Sequence, residues 1–154
     1  MSHEAKEELK RADHLIHITL KYTRTVDVII SILQRLVSSI ETEMKDILEI
    51  AKEKRHIKEI EKSPKAKTEQ LKKIFKNSEE ITELVRFYYL LRKIIKAEHL
   101  KKDEFRKNIT LYALDESGVF AEVNAETVKE YFKKTDDLIN YMDEYASNLR
   151  KRKK

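Results

Sequence analysis

The chain has 154 residues, of which 40% are apolar and 40% charged, with a formal charge of +5, one Gly, one Pro and no Cys. Without Cys there is no disulfide, thiolate zinc site, iron–sulfur cluster or thiol nucleophile, and so little Gly and Pro permits few turns, which predicts one domain of long helices. No apolar run reaches the roughly 20 residues that cross a bilayer, and the charged start Met-Ser-His-Glu-Ala-Lys-Glu-Glu is unlike a signal peptide, so a soluble cytoplasmic protein is expected.

The first helix opens near His3, with Ser2 to cap it and Glu4, Glu7 and Glu8 in its first turns. From Asp13 to about Ile50, apolar residues recur at Leu15, Ile18, Tyr22, Val26, Ile29, Leu33, Leu36, Ile40, Met44, Ile47 and Ala51. Those gaps of three and four are the period of a helix. Val28, Ile30, Ile32 and Val37 widen the stripe, which makes this segment central to whatever packs around it. Continued to Lys62, one helix would be about 90 Å long at 1.5 Å per residue, roughly twice what the later helices cover. Either it breaks, with Ser38-Ser39-Ile40-Glu41 offering a capping box, or the thinly apolar stretch from Ala51 to Lys62 projects beyond the core.

Ser63-Pro64 opens a short helix over 64–76, with Leu71, Ile74 and Phe75 on its inner side. Asn77 can close it in a left-handed conformation, and Ser78, Glu79 and Glu80 open the next. That third helix is expected to run to Lys107, with Ile81, Leu84, Tyr88, Leu91 and Ile95 on one face and Phe87, Leu90 and Ile94 beside them. From Asn108 the period becomes alternating. Ile109, Leu111 and Ala113, then Val119, Ala121 and Val123, flank Asp115-Glu116-Ser117-Gly118, which predicts a β-hairpin over 108–124; its rival is a helix continued to Leu114. Asn124 caps the last helix, with Val128, Tyr131, Phe132, Leu138, Met142, Tyr145 and Leu149 on one face and a basic tail over 150–154. The expected fold is an all-α bundle of four helices, five if the first breaks, with a small hairpin between the last two long ones. The richness in Lys, Glu and Ile matches the bias of hyperthermophile proteins and points to a thermophilic archaeal source, although an AT-rich mesophile genome would bias Lys and Ile similarly.

On the first long helix Ile16, Thr19, Thr23, Asp27, Ile30 and Gln34 fall in one row. If the row faces the core, Thr19, Thr23, Asp27 and Gln34 form a buried polar tether, and Asp27 needs a partner because an unpaired buried charge costs several kcal/mol. The alternatives are a ligand-binding carboxylate and plain exposure. Leu20 to Ile29, with a looser echo over Tyr88 to Phe105, resembles a family of uncharacterised, mainly archaeal, all-helical prokaryotic proteins; no activity comes with that resemblance. Arg92 and His99 resemble the Arg-x(4–6)-His pattern of HEPN-domain ribonucleases, which are all-α dimers. The resemblance implies that Arg and His of two subunits meet on an RNA backbone and cleave it without metal. On one helix Arg92, Lys96, His99 and Asp103 share a line, so Asp103 could orient His99. Lys93 stands where the motif usually has Asn or Asp, Arg11 with His17 has a fitting spacing too, and the alternative is a solvated basic stripe.

Asp13, His14 and His17, and Glu53 with His56, have ligand-like spacings, but a di-iron site needs two Glu-x-x-His motifs and two further Glu, so no metal is expected. Nor is a cofactor: there is no Gly-x-Ser-x-Gly and a single Gly makes no phosphate cradle. A DNA-reading wing is disfavoured because the hairpin tip carries Asp115 and Glu116. What remains is cationic. Lys52, Lys54, Arg55, Lys58, Lys62, Lys65 and Lys67, with Lys151, Arg152, Lys153 and Lys154, form a surface for RNA or an acidic protein partner. Its rival is a surface network balancing Glu53, Glu59, Glu61 and Glu69. Phe87-Tyr88-Tyr89 points three ways around its helix, which predicts an exposed aromatic patch and a homodimer. The function expected is a non-catalytic interaction module; the alternative is a HEPN-like metal-independent ribonuclease.

Overall fold

A computed structural model describes residues 3–151. The Ser2 cap and the tail residues Arg152, Lys153 and Lys154 lie outside the described residues. The chain is predominantly helical, and it also carries a three-stranded antiparallel sheet, so it is not purely all-α.

The first long helix breaks, but not at Ser38. Helix α1 (His3–His14) passes into a π-helical turn (Leu15–Thr19) and a last helical turn α2 (Leu20–Tyr22). Thr23 then leaves the helix at φ −124°, ψ 87°. Helix α3 (Val26–Glu53) starts afresh, with extended Thr25 as its cap and the Thr25 hydroxyl accepting from Val28 N–H. Two β-branched threonines lose little by leaving the helix, and the second satisfies an orphan donor. The reversal lets α1 pack back along α3. Ser38 lies within α3, and Ser39 is buried with its hydroxyl donating to Leu36 C=O three residues back, so the helix continues through both.

The predicted apolar stripe holds from Val26 onward: Val26, Ile29, Leu33, Leu36, Ile40, Met44, Ile47 and Ala51 are all buried. Before the break it does not. Ile18 is 48% and Tyr22 78% exposed, while Ala5, Leu9, Ala12, Ile16 and Leu20 form the buried face of α1, the π turn and α2. Helix α3 touches α1, α4, α5, α6 and the sheet, as a helix apolar nearly all round must.

Ser63 caps α4 (Pro64–Ile74) by accepting from Ala66 N–H at 3.1 Å, with Pro64 in the first turn where its missing donor costs nothing. Lys76 and Asn77 turn left-handed at φ 54° and 55°. Ser78 then caps α5 (Glu79–Lys96). Phe87 and Tyr88 are buried and Tyr89 is half-buried, its hydroxyl bonded to Thr68, so the aromatic run leaves no exposed patch. Phe87 meets Tyr131 edge-on at 5.4 Å, and Tyr88 lies against α3 with its hydroxyl donating to Glu41.

Helix α5 ends at Lys96 and does not reach Lys107. Strand β1 (Glu98–Lys102) follows and pairs with β2 (Thr110–Asp115), which pairs with β3 (Gly118–Asn124). The hairpin matches expectation; β1, whose exposed edge is rich in Lys, was hidden by its polar sequence. Ile109, Leu111, Ala113 and Val123 are buried, but a bulge between Ala113 and Leu114 pairs Leu114 with Val119 and turns Val119 outward. At the tip Asp115 accepts from Ser117 N–H and from Lys93, whose ammonium also sits 4.2 Å from the Phe120 ring centre. These contacts hold the Asp115 carboxyl below its ordinary value. Gly118 sits at φ +109° with open space where a Cβ would go, so conformation alone requires it. Gly118→Ala should therefore destabilise the protein by about 1–3 kcal/mol, the usual cost of such strain, read from the urea midpoint.

Helix α6 (Ala125–Lys151) is capped by Asn124, which accepts from Thr127 N–H at 3.0 Å. It buries Val128, Thr135, Ile139, Met142 and Leu149 against α3 and the sheet.

Candidate nucleic-acid interface

The segment from Lys54 to Lys62 does not project; it folds back. Lys54, Arg55 and His56 close the end of α3 by donating to Ile50, Lys52 and Ala51 carbonyls, with Arg55 left-handed at φ 61°. The Gln70 side chain then clamps the returning loop, donating to Glu59 C=O at 2.8 Å and accepting from Glu61 N–H at 3.0 Å. Ile57 packs against the small cluster of Ile50, Ala51 and Leu149. Anchored in this way, the loop presents Lys52, Arg55, Lys58, Lys62 and Lys65 to solvent, with Lys54 and Lys67 half-buried beside them. Cations here also suit the carbonyl end of a long helix, which carries partial negative charge.

Among the described residues none of these seven basic side chains has a carboxylate within 4 Å. Of the four acids expected to balance them, only Glu69 makes an ion pair, and that is with Lys72 at 3.7 Å. The cleft between this loop, α4 and the end of α6 measures about 830 Å³ and includes His56, Lys58, Lys73 and Lys76 together with Glu59 and Glu61.

A second basic region, which sequence reading missed, lies at the other end of α3. With 28 residues, α3 separates the two by about 40 Å. Here a cleft of about 380 Å³ has an apolar floor of Ile16, Leu20 and Ile109 and cationic walls from Lys21, Arg24, Lys107 and Lys129. Ala125, the first residue of α6, completes the wall. Lys129 pairs with Glu126 at 3.8 Å on the surface; among the described residues Lys21, Arg24 and Lys107 have no acidic partner within 4 Å. Three nearby acids are otherwise engaged. Asp13 pairs with His17 at 3.0 Å, Asp103 accepts from Asn108, and Glu104 accepts from Val26 N–H at the start of α3. The chain in this region is non-standard: the π turn supplies Ile16 and His17, and Phe105 N–H donates to Arg24 C=O at 2.6 Å. Irregular turns of this kind gather at functional sites. The sequence signal was Thr25 ahead of Asp27, a cap and a first-turn acid, inside a run of unbroken apolar period.

Glu104 places a carboxylate on the positive end of α3 from 78 residues away. Glu104→Ala should cost about 1–2 kcal/mol by removing that charge-assisted cap, measured as a fall in thermal midpoint.

The polar row is not a tether. Asp27 is exposed in the first turn of α3, Thr23 and Gln34 are exposed, Thr19 is half-buried, and the break at Thr23–Thr25 separates the row into two helices. Arg92 and His99 do not share a helical line. Arg92 lies on α5 with its guanidinium 5.5 Å from the Tyr88 ring centre, whereas half-buried His99 is on β1 with Nε2 2.6 Å from Ile94 C=O. Asp103, in the loop after β1, holds Asn108 and not His99. Along the C-terminal half of α3 and the end of α6 the surface is of opposite sign: a cleft lined by Glu43, Asp46, Glu49, Glu53 and Asp143 with Arg150. Compared with protein-family models, with curated proteins and with solved structures, the chain matches none.

Proposed function

We propose that this protein is a non-catalytic, cytoplasmic nucleic-acid-contacting module: a helical bundle that holds RNA through its backbone phosphates. The observation that carries the proposal is the set of seven cations from Lys52 to Lys67 with no acidic partner within 4 Å among the described residues. A thermophile's salt-bridge surface would pair them. The acidic cleft on the C-terminal half of α3 and the end of α6 repels phosphate, so the nucleic-acid chain is held on the loop after α3 and not along those helices. Contacts of this kind carry affinity without base sequence. Arg92 and His99 have no part in it, since they stand on different elements and each is engaged within the fold.

The test is binding of a mixed-sequence 20-nucleotide RNA, followed by fluorescence anisotropy at 50 and 200 mM salt. Log affinity should fall linearly with log salt, by about 0.7 per phosphate contact for a single strand. Lys54→Gln, Arg55→Gln and Lys58→Gln together should lower the slope by about 2 with no loss of thermal midpoint. No binding at tens of micromolar protein in 50 mM salt would overturn it.

A further inference from the structure

Two aromatic side chains stand out from the fold at the π-turn end. Tyr22 is 78% and Phe105 74% exposed, in a protein that buries or half-buries its other described aromatic rings. They are brought together from distant parts of the chain. The Phe105 amide is bonded to the carbonyl of Arg24, two residues beyond Tyr22. Phe105 holds a left-handed backbone at φ 69°, which a bulky residue adopts at a cost. The strain is sustained by the Arg24 bond on one side and by Glu104 locked onto α3 on the other. The cleft cations are neighbours of Tyr22 and Phe105 in the chain: Lys21 and Arg24 flank Tyr22, Lys107 follows Phe105 by two residues, and Lys129 lines the same cleft.

Charge without ring surface suits any polyanion, and rings without charge suit a protein. Rings beside cations suit a strand whose bases are unstacked, because each base has a π face and each link a phosphate. We propose that this end of the molecule is a single-strand site, in which Tyr22 and Phe105 stack on bases while Lys21, Arg24, Lys107 and Lys129 hold the flanking phosphates. Duplex RNA, with its bases already stacked, cannot use the rings. The site rests on the nucleic-acid reading above but is separate from the basic loop after α3, about 40 Å away along 28 residues of helix.

The experiment compares oligouridine with duplex RNA of equal length, on the full chain, by anisotropy. The wild type should prefer the single strand. Tyr22→Ala with Phe105→Ala should weaken oligouridine binding by about tenfold or more, within the usual worth of stacked bases, and leave duplex affinity unchanged. Tyr22→Phe with Phe105→Tyr, which keep the rings, should restore it. Because both side chains are exposed, an unchanged thermal midpoint checks the fold. Lys54→Gln, Arg55→Gln and Lys58→Gln should instead weaken both ligands. If the alanine pair binds oligouridine as well as the wild type while the loop variant weakens both, the stacking site falls and the phosphate-binding function stands. If nothing binds either RNA, both fall. If the wild type sediments as a dimer and the alanine pair as a monomer, the rings are a contact between two copies and the proposal is overturned.

Discussion

Phe75→Ala should destabilise the protein by about 3–5 kcal/mol, the range for removing a buried aromatic ring. Phe75 closes α4 and is 2% exposed. It stacks on Tyr145 with ring centres 4.1 Å apart and an interplanar angle of 24°, and meets Tyr141 at 5.9 Å. Those two rings belong to α6 and are fixed in turn from the α4–α5 region: Tyr145 donates to Ile74 C=O at 2.7 Å, and Tyr141 to the Ser78 hydroxyl at 3.0 Å. The void would therefore be lined by side chains that cannot collapse into it without giving up hydrogen bonds, which places the cost toward the upper part of the range. Urea unfolding monitored by circular dichroism measures it. A change below about 1 kcal/mol would mean that the aromatic cluster relaxes freely.

Tyr88→Phe should cost about 1.5–3 kcal/mol at neutral pH, because the Tyr88 hydroxyl donates to the Glu41 carboxylate at 2.7 Å and charged partners make the stronger bonds. It should also change the alkaline limb of the stability curve. Burial pushes the Tyr88 ionisation well above its ordinary value of 10.0, the hydroxyl's bond to Glu41 and that carboxylate's charge push the same way, and Arg92 opposes them weakly. A raised folded pKa contributes stability that is fully present below pH 10 and is lost as pH rises beyond it, because the unfolded chain sheds the proton first. Tyr131 is shifted in the same direction, by burial and then by Glu130. The variant should thus lose less stability than the wild type between neutral pH and about pH 11, with Tyr131 supplying the remainder. Parallel curves for the two proteins would show that Tyr88 ionises freely.

Position along the chain was legible wherever a local device decided it. Ser63-Pro64, Asn77, Ser78, Gly118 and Asn124 each act within three residues of themselves, through a hydroxyl or amide cap or a positive φ, and each stands where expected. The apolar stripe from Val26 to Ala51 was equally plain, since a helix surrounded by others must be apolar over most of its circumference.

Three features were decided by the tertiary structure alone. The break at Thr23–Thr25 was masked because Tyr22 and Val26 keep the four-residue spacing across it; only the packing of α1 back onto α3 shows that the two belong to different helices. Strand β1 carries Glu98, His99, Lys101 and Lys102, a composition suited to a solvated helix end, and becomes a strand because β2 offers it a ladder of backbone partners. The cationic cleft draws on Lys21, Arg24, Lys107 and Lys129, which lie more than a hundred residues apart at the extremes and meet only where the loop before β2 caps α3. Caps and periodicity are properties of a few neighbouring residues, so one sequence suffices to read them; a strand partner, a helix reversal and a shared cleft depend on which distant surfaces bury each other, and no local pattern records that.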